Sequence, residues 1–195
     1  MGFKNILLIL IVAFFAGAAM PFIMPDAYTP TGFAIQEQPQ AQGTGASVDS
    51  GNISAYFCPE DKCALRLAEF YGTAQSEIHV MIYSLTKEDI AQALVDAKNR
   101  GVEVKVLIDV AQAGLKDAKD EFLLENGIEL KRVSIPGYAI FHDKVSIVDG
   151  KAFSTGSFNY TNNADSGSAE NLVIIKDGAL AQRFEQEFQK YWSAN

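Results

Sequence analysis

The chain has 195 residues, of which 48% are hydrophobic, 21% charged and 11% aromatic, enough for one compact domain with little left for a second. Its formal charge of −8, from 24 acidic and 16 basic side chains, argues against gripping nucleic acid through bulk positive charge, although a local basic site is still allowed. The 2 cysteines cannot build a disulfide-dense scaffold and lack the four-ligand spacing of a structural zinc site.

After Lys4, residues 6–24 form an uncharged run, broken only by Pro21, that approaches the roughly 20 residues needed to span a bilayer. Two readings fit residues 1–25. One is an uncleaved transmembrane helix. The other is a secretory signal peptide with Lys4 as its basic start and Ala16-Gly17-Ala18 as the cleavage site. Continuation of the run past Ala18 favours the anchor. Lys4 precedes the segment, and Asp26, Glu37 and Asp49 follow it, so the positive-inside bias puts the domain outside the cytosol. Cleavage would release a secreted or periplasmic domain instead. Residues 26–52 are rich in Pro, Gln, Gly, Thr, Ser and Ala without apolar periodicity, and read as a flexible linker.

The folded domain is expected over residues 53–195. Ile53 to Phe57 predicts a strand, Lys62 to Thr73 a helix, and Glu77 to Leu85 a largely buried strand. Thr86 is a good N-cap for a helix carrying Ile90, Ala93, Leu94 and Ala97, which Asn99-Arg100-Gly101 ends. Val102 to Ile108 predicts a strand, Leu115 to Glu125 a helix stopped by Asn126-Gly127, and Ile128 to Val133 another strand. Strands alternating with helices predict an α/β sandwich with a mixed, largely parallel sheet flanked by helices.

The stretch from Phe141 to Asn171 carries the chemistry. His142-Asp143-Lys144 opens a predicted strand, and period-two alternation puts His142 and Lys144 on one face. Asp149-Gly150 is a hairpin signal, with Lys151 to Thr155 as the return strand and Gly156-Ser157-Phe158-Asn159 as a polar loop at its end. Such a cluster suits a phosphate. An imidazole serves as nucleophile or general acid/base near neutral pH, and Lys144 supplies positive charge. Ser157 and Asn159 supply neutral hydrogen bonds, and Gly156 admits close approach. Glu170, on a predicted strand from Ala169 to Lys176, is placed to orient the imidazole.

The pattern His142-x-Lys144-x4-Asp149-x6-Gly156-Ser157-x-Asn159 resembles the HKD signature of the phospholipase D superfamily. Six residues specified at about 5% each arise by chance on the order of once in a million for a chain of this length. The element order from Tyr56-Phe57-Cys58-Pro59 through Gly101 to Asp109 is also similar to that of single-motif members, the Nuc-type endonucleases and the Zucchini-type mitochondrial-surface enzymes. The resemblance implies a phospholipase D-like sandwich and metal-independent phosphodiester cleavage through a phosphohistidine, with no cofactor. It assigns His142 as the reacting residue, Lys144, Asn159 and Gly156 to the phosphate, Ser157 as a supporting hydroxyl, and Glu170 to the imidazole. Asp149 matches the motif aspartate but falls at a turn, where a structural role is as good a reading. The reaction needs two histidines and the chain has one motif, so members of this kind complete the site as a two-fold homodimer.

The expected substrate is nucleic acid, cleaved endonucleolytically. The alternative is a phospholipid head group, phosphatidylcholine or cardiolipin, with Ile135 to Phe141 as a candidate apolar lip. A non-catalytic phosphate or lipid binder on the same fold is the remaining alternative. His79, inside an apolar strand, reads as structural. Lys131-Arg132 reads as a solvated strand end in preference to a phosphate-steering pair. Cys58 and Cys63 are able to close a small disulfide in an oxidising compartment; two free thiols are the other reading.

Overall fold

The computed structural model describes residues 48–49, 51–137 and 139–194. The hydrophobic segment expected over residues 1–25, and nearly all of the linker, lie outside the described residues. Among the described residues no helix is long and apolar enough to cross a membrane.

In chain order the elements are β1 (Val48–Asp49), β2 (Ile53–Cys58), α1 (Cys63–Gly72), β3 (Glu77–Ile82), α2 (Glu88–Asn99), β4 (Glu103–Asp109), α3 (Asp120–Glu125), β5 (Glu129–Val133), β6 (Lys144–Val148), β7 (Ala152–Gly156), α4 (Asn162–Ser166), β8 (Glu170–Ile175) and α5 (Gly178–Ala194). The strands form one sheet of 8 in the order β1-β2-β8-β7-β6-β3-β4-β5. Only β3–β4 and β4–β5 pair in parallel, and every other neighbour is antiparallel. The sheet is therefore mixed but not largely parallel as expected. Crossover helices join the parallel neighbours β3, β4 and β5, whereas β6 and β7 share a hairpin and β8 returns antiparallel beside β7 after a connection that contains α4.

Strand alternation feeds two hydrophobic layers. Ile78, Val80 and Ile82 of β3 join Leu67, Phe70 and Tyr71 of α1 and Ile90 and Leu94 of α2 in one cluster. Met81 of the same strand joins Leu107, Val145, Ile147 and Phe153 beneath Ala181 and Phe188 of α5 in the other. The sequence reading has no counterpart for α5. Its apolar residues Ala181, Phe184, Phe188, Tyr191 and Trp192 recur at helical spacing and cover this second face.

Local boundaries differ for identifiable reasons. Thr86 does not cap α2: its N–H and that of Lys87 donate to Tyr160 O, and the helix starts at Glu88. Residues 115–119 are turns and not helix, because Gly114 takes a φ of 72° and its N–H is held by Asp120, the first residue of α3. Val48 and Asp49, inside the expected linker, pair with Ala55 and Ser54, so ordered sheet starts before residue 53.

The β6–β7 turn, residues 149–151, has Asp149 and Gly150 at φ 54° and 59°, the left-handed region that Asp and Gly tolerate best. Asp149 lies at the end of β6 remote from His142, where its contacts are architectural. Its carboxylate accepts from the N–H groups of Ser76, Gln75 and Glu77 and from the Ser76 hydroxyl, fastening the turn to the start of β3. Burial pushes the Asp149 carboxyl up, but these donors outweigh it and hold it below its ordinary value. A carboxyl depressed in the fold stabilises above the unfolded value of about 3.9 and loses that contribution as pH falls through the folded one. Asp149→Ala should cost about 1–3 kcal/mol near neutral pH. Urea denaturation of both proteins should show the gap narrowing below about pH 4.

Candidate active site

Register brings the expected residues to one edge of the sheet. Ser146 of β6 pairs with Ser154 of β7, so Lys144 and Gly156 lie two residues further along each strand at the same end. Gly156 pairs with Leu172 of β8, and Glu170 opens that strand opposite Cys58. His142 precedes β6, which begins at Lys144, so His142 and Lys144 are not two positions of one strand face. The His142 ring is exposed, while Lys144 is only 8% exposed.

Three contacts fix the histidine segment. Asp109, buried at the end of β4, accepts from Phe141 N–H at 2.9 Å and turns the chain just ahead of His142. Tyr83 N–H donates to Asp143 O at 2.9 Å just after it. The Tyr83 ring lies 4.6 Å from the imidazole at 57°, and its hydroxyl accepts from Gln112. Lys144 Nζ donates to His142 O at 3.1 Å and stands 5.2 Å from the Tyr83 ring centroid. Burial lowers the Lys144 ammonium from the usual lysine value, against the opposing pull of Asp143 and Glu170. Asp143 is half-buried, and desolvation with help from Glu187 raises its carboxyl, while Lys144 and His142 pull it down.

The facing loop is equally constrained. Ser157 Oγ donates to Glu170 and accepts from Asn171 N–H at 3.1 Å. Glu170 thus engages Ser157, and among the described residues the His142 ring makes no hydrogen bond within its own chain. Among the described residues Asn159 Oδ1 is buried without a partner. Asp109, Tyr83 and Asn171 are site-forming residues that the sequence reading misses. Asp109 carried a signal, a carboxylate ending an apolar strand run.

Other singled-out residues go elsewhere. Lys131 Nζ donates to Trp192 O and stands 4.7 Å from the Trp192 ring, while Arg132 pairs with Asp120 and Glu121, so neither is a free solvated end and neither reaches the site. Cys58 and Cys63 form a disulfide with a Cα–Cα distance of 5.6 Å. His79 is buried against α5.

Residues 67–192 match the family described as cardiolipin synthase, PLD-like domain. The chain belongs to the phospholipase D-like family. Its relatives include a phospholipase D of Rickettsia bellii, 36% identical over 73% of this chain and 70% of that one. The human mitochondrial cardiolipin hydrolase is 29% identical over 69% of this chain and 53% of its own length. The crystal structure of Nuc, a phospholipase D family member from Salmonella typhimurium, superposes with a TM-score of 0.68 at 35% identity, covering 72% of this chain and 93% of that one. This phospholipase D-like protein is accordingly a phosphodiester hydrolase of that superfamily.

Gly156 is where the phospholipase D-like site tolerates least. Its φ is 150°, and a Cβ would stand 2.2 Å from Asn171 O, backbone that cannot yield without moving Ser157 and Glu170. Gly156→Ala should therefore cost more than about 1 kcal/mol in stability. It should also depress kcat by separating the two halves of the site, measured with bis-p-nitrophenyl phosphate beside thermal unfolding.

Proposed function

We propose that this phospholipase D-like chain cleaves phosphodiester bonds in nucleic acid, with His142 as nucleophile and a second copy of the chain completing the site. The observation that carries the reading is the exposed imidazole at the strand ends shared with Lys144, the Ser157–Glu170 pair and Asn159, whose Oδ1 has no partner among the described residues. Because His142 and Ser157 are both exposed, a polymer backbone has room to lie across this edge. The likeness to Nuc supports the polynucleotide assignment.

In the first step a His142 ring nitrogen attacks phosphorus, a P–N bond forms and the P–O bond to the leaving group breaks. The partner copy's imidazolium gives its proton to the departing oxygen. It then takes a proton from water, which attacks phosphorus and releases His142 and a phosphomonoester. Lys144 neutralises charge on the non-bridging oxygens, and Asn159 adds a neutral contact. Glu170 holds Ser157, and with it the loop that carries Asn159. His79 cannot act as the second acid, because it is 3% exposed and packed against α5.

The disulfide fits an oxidising compartment, and with residues 6–24 as anchor or signal it supports a domain held outside the cytosol. A second substrate reading, phospholipid head groups, draws on Phe57, Val110 and Ile140. These are 61%, 46% and 52% exposed, and lie beside β-strand ends or the loop at the site's edge. The relatives named phospholipase D and cardiolipin hydrolase point the same way.

His142→Ala should abolish turnover without loss of fold, and Lys144→Ala should lower kcat/KM mainly through kcat. Wild-type turnover by either variant overturns the mechanism. Heterodimers of wild type with His142→Ala should keep well under half of wild-type activity; retention of half would refute the shared site. A panel of single- and double-stranded DNA, RNA, phosphatidylcholine and cardiolipin, assayed in EDTA, should show cleavage of the polynucleotides. Cleavage of lipid alone would favour the second reading.

A further inference from the structure

The chain has 2 histidines, and the one outside the site has the surroundings of a metal ligand. His79 on β3 is 3% exposed and its ring stacks on Phe188 of α5, centroids 4.4 Å apart and 2° from parallel. Nδ1 lies 2.9 and 3.0 Å from the two carboxylate oxygens of Glu185, so this nitrogen carries a proton and donates it. Among the described residues Nε2 is buried with no hydrogen-bond partner. What it faces is two more carboxylates, Glu103 Oε1 at 3.6 Å and Glu77 Oε2 at 4.0 Å.

Sheet geometry produces this arrangement. Glu77 pairs with Glu103, and His79 with Lys105, across the parallel β3–β4 ladder, and residues two apart share a face. The three ligand atoms lie within 4.8 Å of one another. Two donors each about 2.1 Å from a tetrahedral ion stand about 3.4 Å apart, so a small inward movement of the carboxylates closes the coordination. Glu185 behind Nδ1 is the carboxylate–histidine arrangement that fixes a ligand ring in orientation and tautomer. Glu103 is exposed and Glu77 partly so, which leaves a path for the ion and room for a water ligand.

We propose that Glu77, His79 and Glu103 bind a divalent transition cation of the zinc type, with Glu185 as the positioning residue. The ion pins α5 to the start of β3 and β4, at the strand ends remote from His142, and takes no part in phosphodiester cleavage. Lys105 is its built-in competitor: the ammonium pairs with Glu103 Oε1 at 2.5 Å and must release that oxygen.

The test uses the full-length chain carrying His142→Ala, in which His79 is the sole imidazole, labelled with 15N-histidine and titrated with zinc chloride. A one-to-one, saturable shift of the Nε2 resonance with Nδ1 still protonated is expected, together with a higher Tm. Glu77→Gln or Glu103→Gln should weaken zinc by at least about tenfold, and Glu185→Gln by about 10- to 100-fold. Lys105→Met, which leaves every ligand in place, should tighten it. An Nε2 that stays protonated near neutral pH and does not move in excess zinc overturns the site, as does zinc affinity unchanged by Glu103→Gln and Lys105→Met.

Discussion

The hydroxyl of Ser146, wholly buried in the middle of β6, is the contact on which the site's architecture rests. It bonds the Tyr71 hydroxyl of α1 at 2.7 Å and the Tyr160 hydroxyl at 2.7 Å. Burial raises both phenols, so they remain neutral partners in the interior. Tyr160 follows the Gly156–Asn159 loop, donates its N–H to Ser84 O and accepts at its own carbonyl from Thr86 and Lys87. One helix, the strand leading from Lys144, the end of β3 and the Gly156–Asn159 loop are thereby tied to one buried polar trio. A loop held in this way is pre-positioned, and little ordering is left for the substrate to supply.

The proposed site residues stand out in the sequence because their chemistry is local: an imidazole, an ammonium, a glycine, a hydroxyl and an amide at fixed spacing. Strand positions were legible too, since burial on both faces makes β3, β4 and β6 short, nearly continuous buried runs. Strand direction was not. A buried run reads the same whichever way a neighbour runs, and here the antiparallel set comes from the β6–β7 hairpin and from the α4-containing connection that returns β8 beside β7. The supports of the site were also hidden. Asp109 reaches Phe141 and Asp149 reaches Ser76 across long stretches of chain, and spacing alone carries no trace of such pairs. The α5 pattern, by contrast, stood in the sequence at Ala181, Phe184, Phe188 and Trp192.

The acidic balance of the chain takes on a different meaning once its partners are visible. Asp109, Asp120, Asp149, Glu170 and Glu185 are each committed to a backbone, hydroxyl, guanidinium or imidazole donor inside the fold. Many of the surplus charges are therefore structural acceptors, and the field at the site's edge is set by its immediate neighbours. Lys144 stands there with Asp143 and Glu170 as its charged neighbours. Such a site gains its selectivity for phosphorus from placement more than from long-range attraction.

The ladder between β2 and β8 has a consequence for how the molecule is made. It joins Ile53, the first residue of β2, to Ile175, the last of β8, and among the described residues β8 links β1 and β2 to the rest of the sheet. During vectorial synthesis β3, β4 and β5 find their neighbours early, through short local crossovers. β2 must wait with an open edge until residues 170–175 have emerged. Closure at this seam is a late, high-contact-order event, and the interval before it is when the nascent domain is most exposed to pairing with another chain.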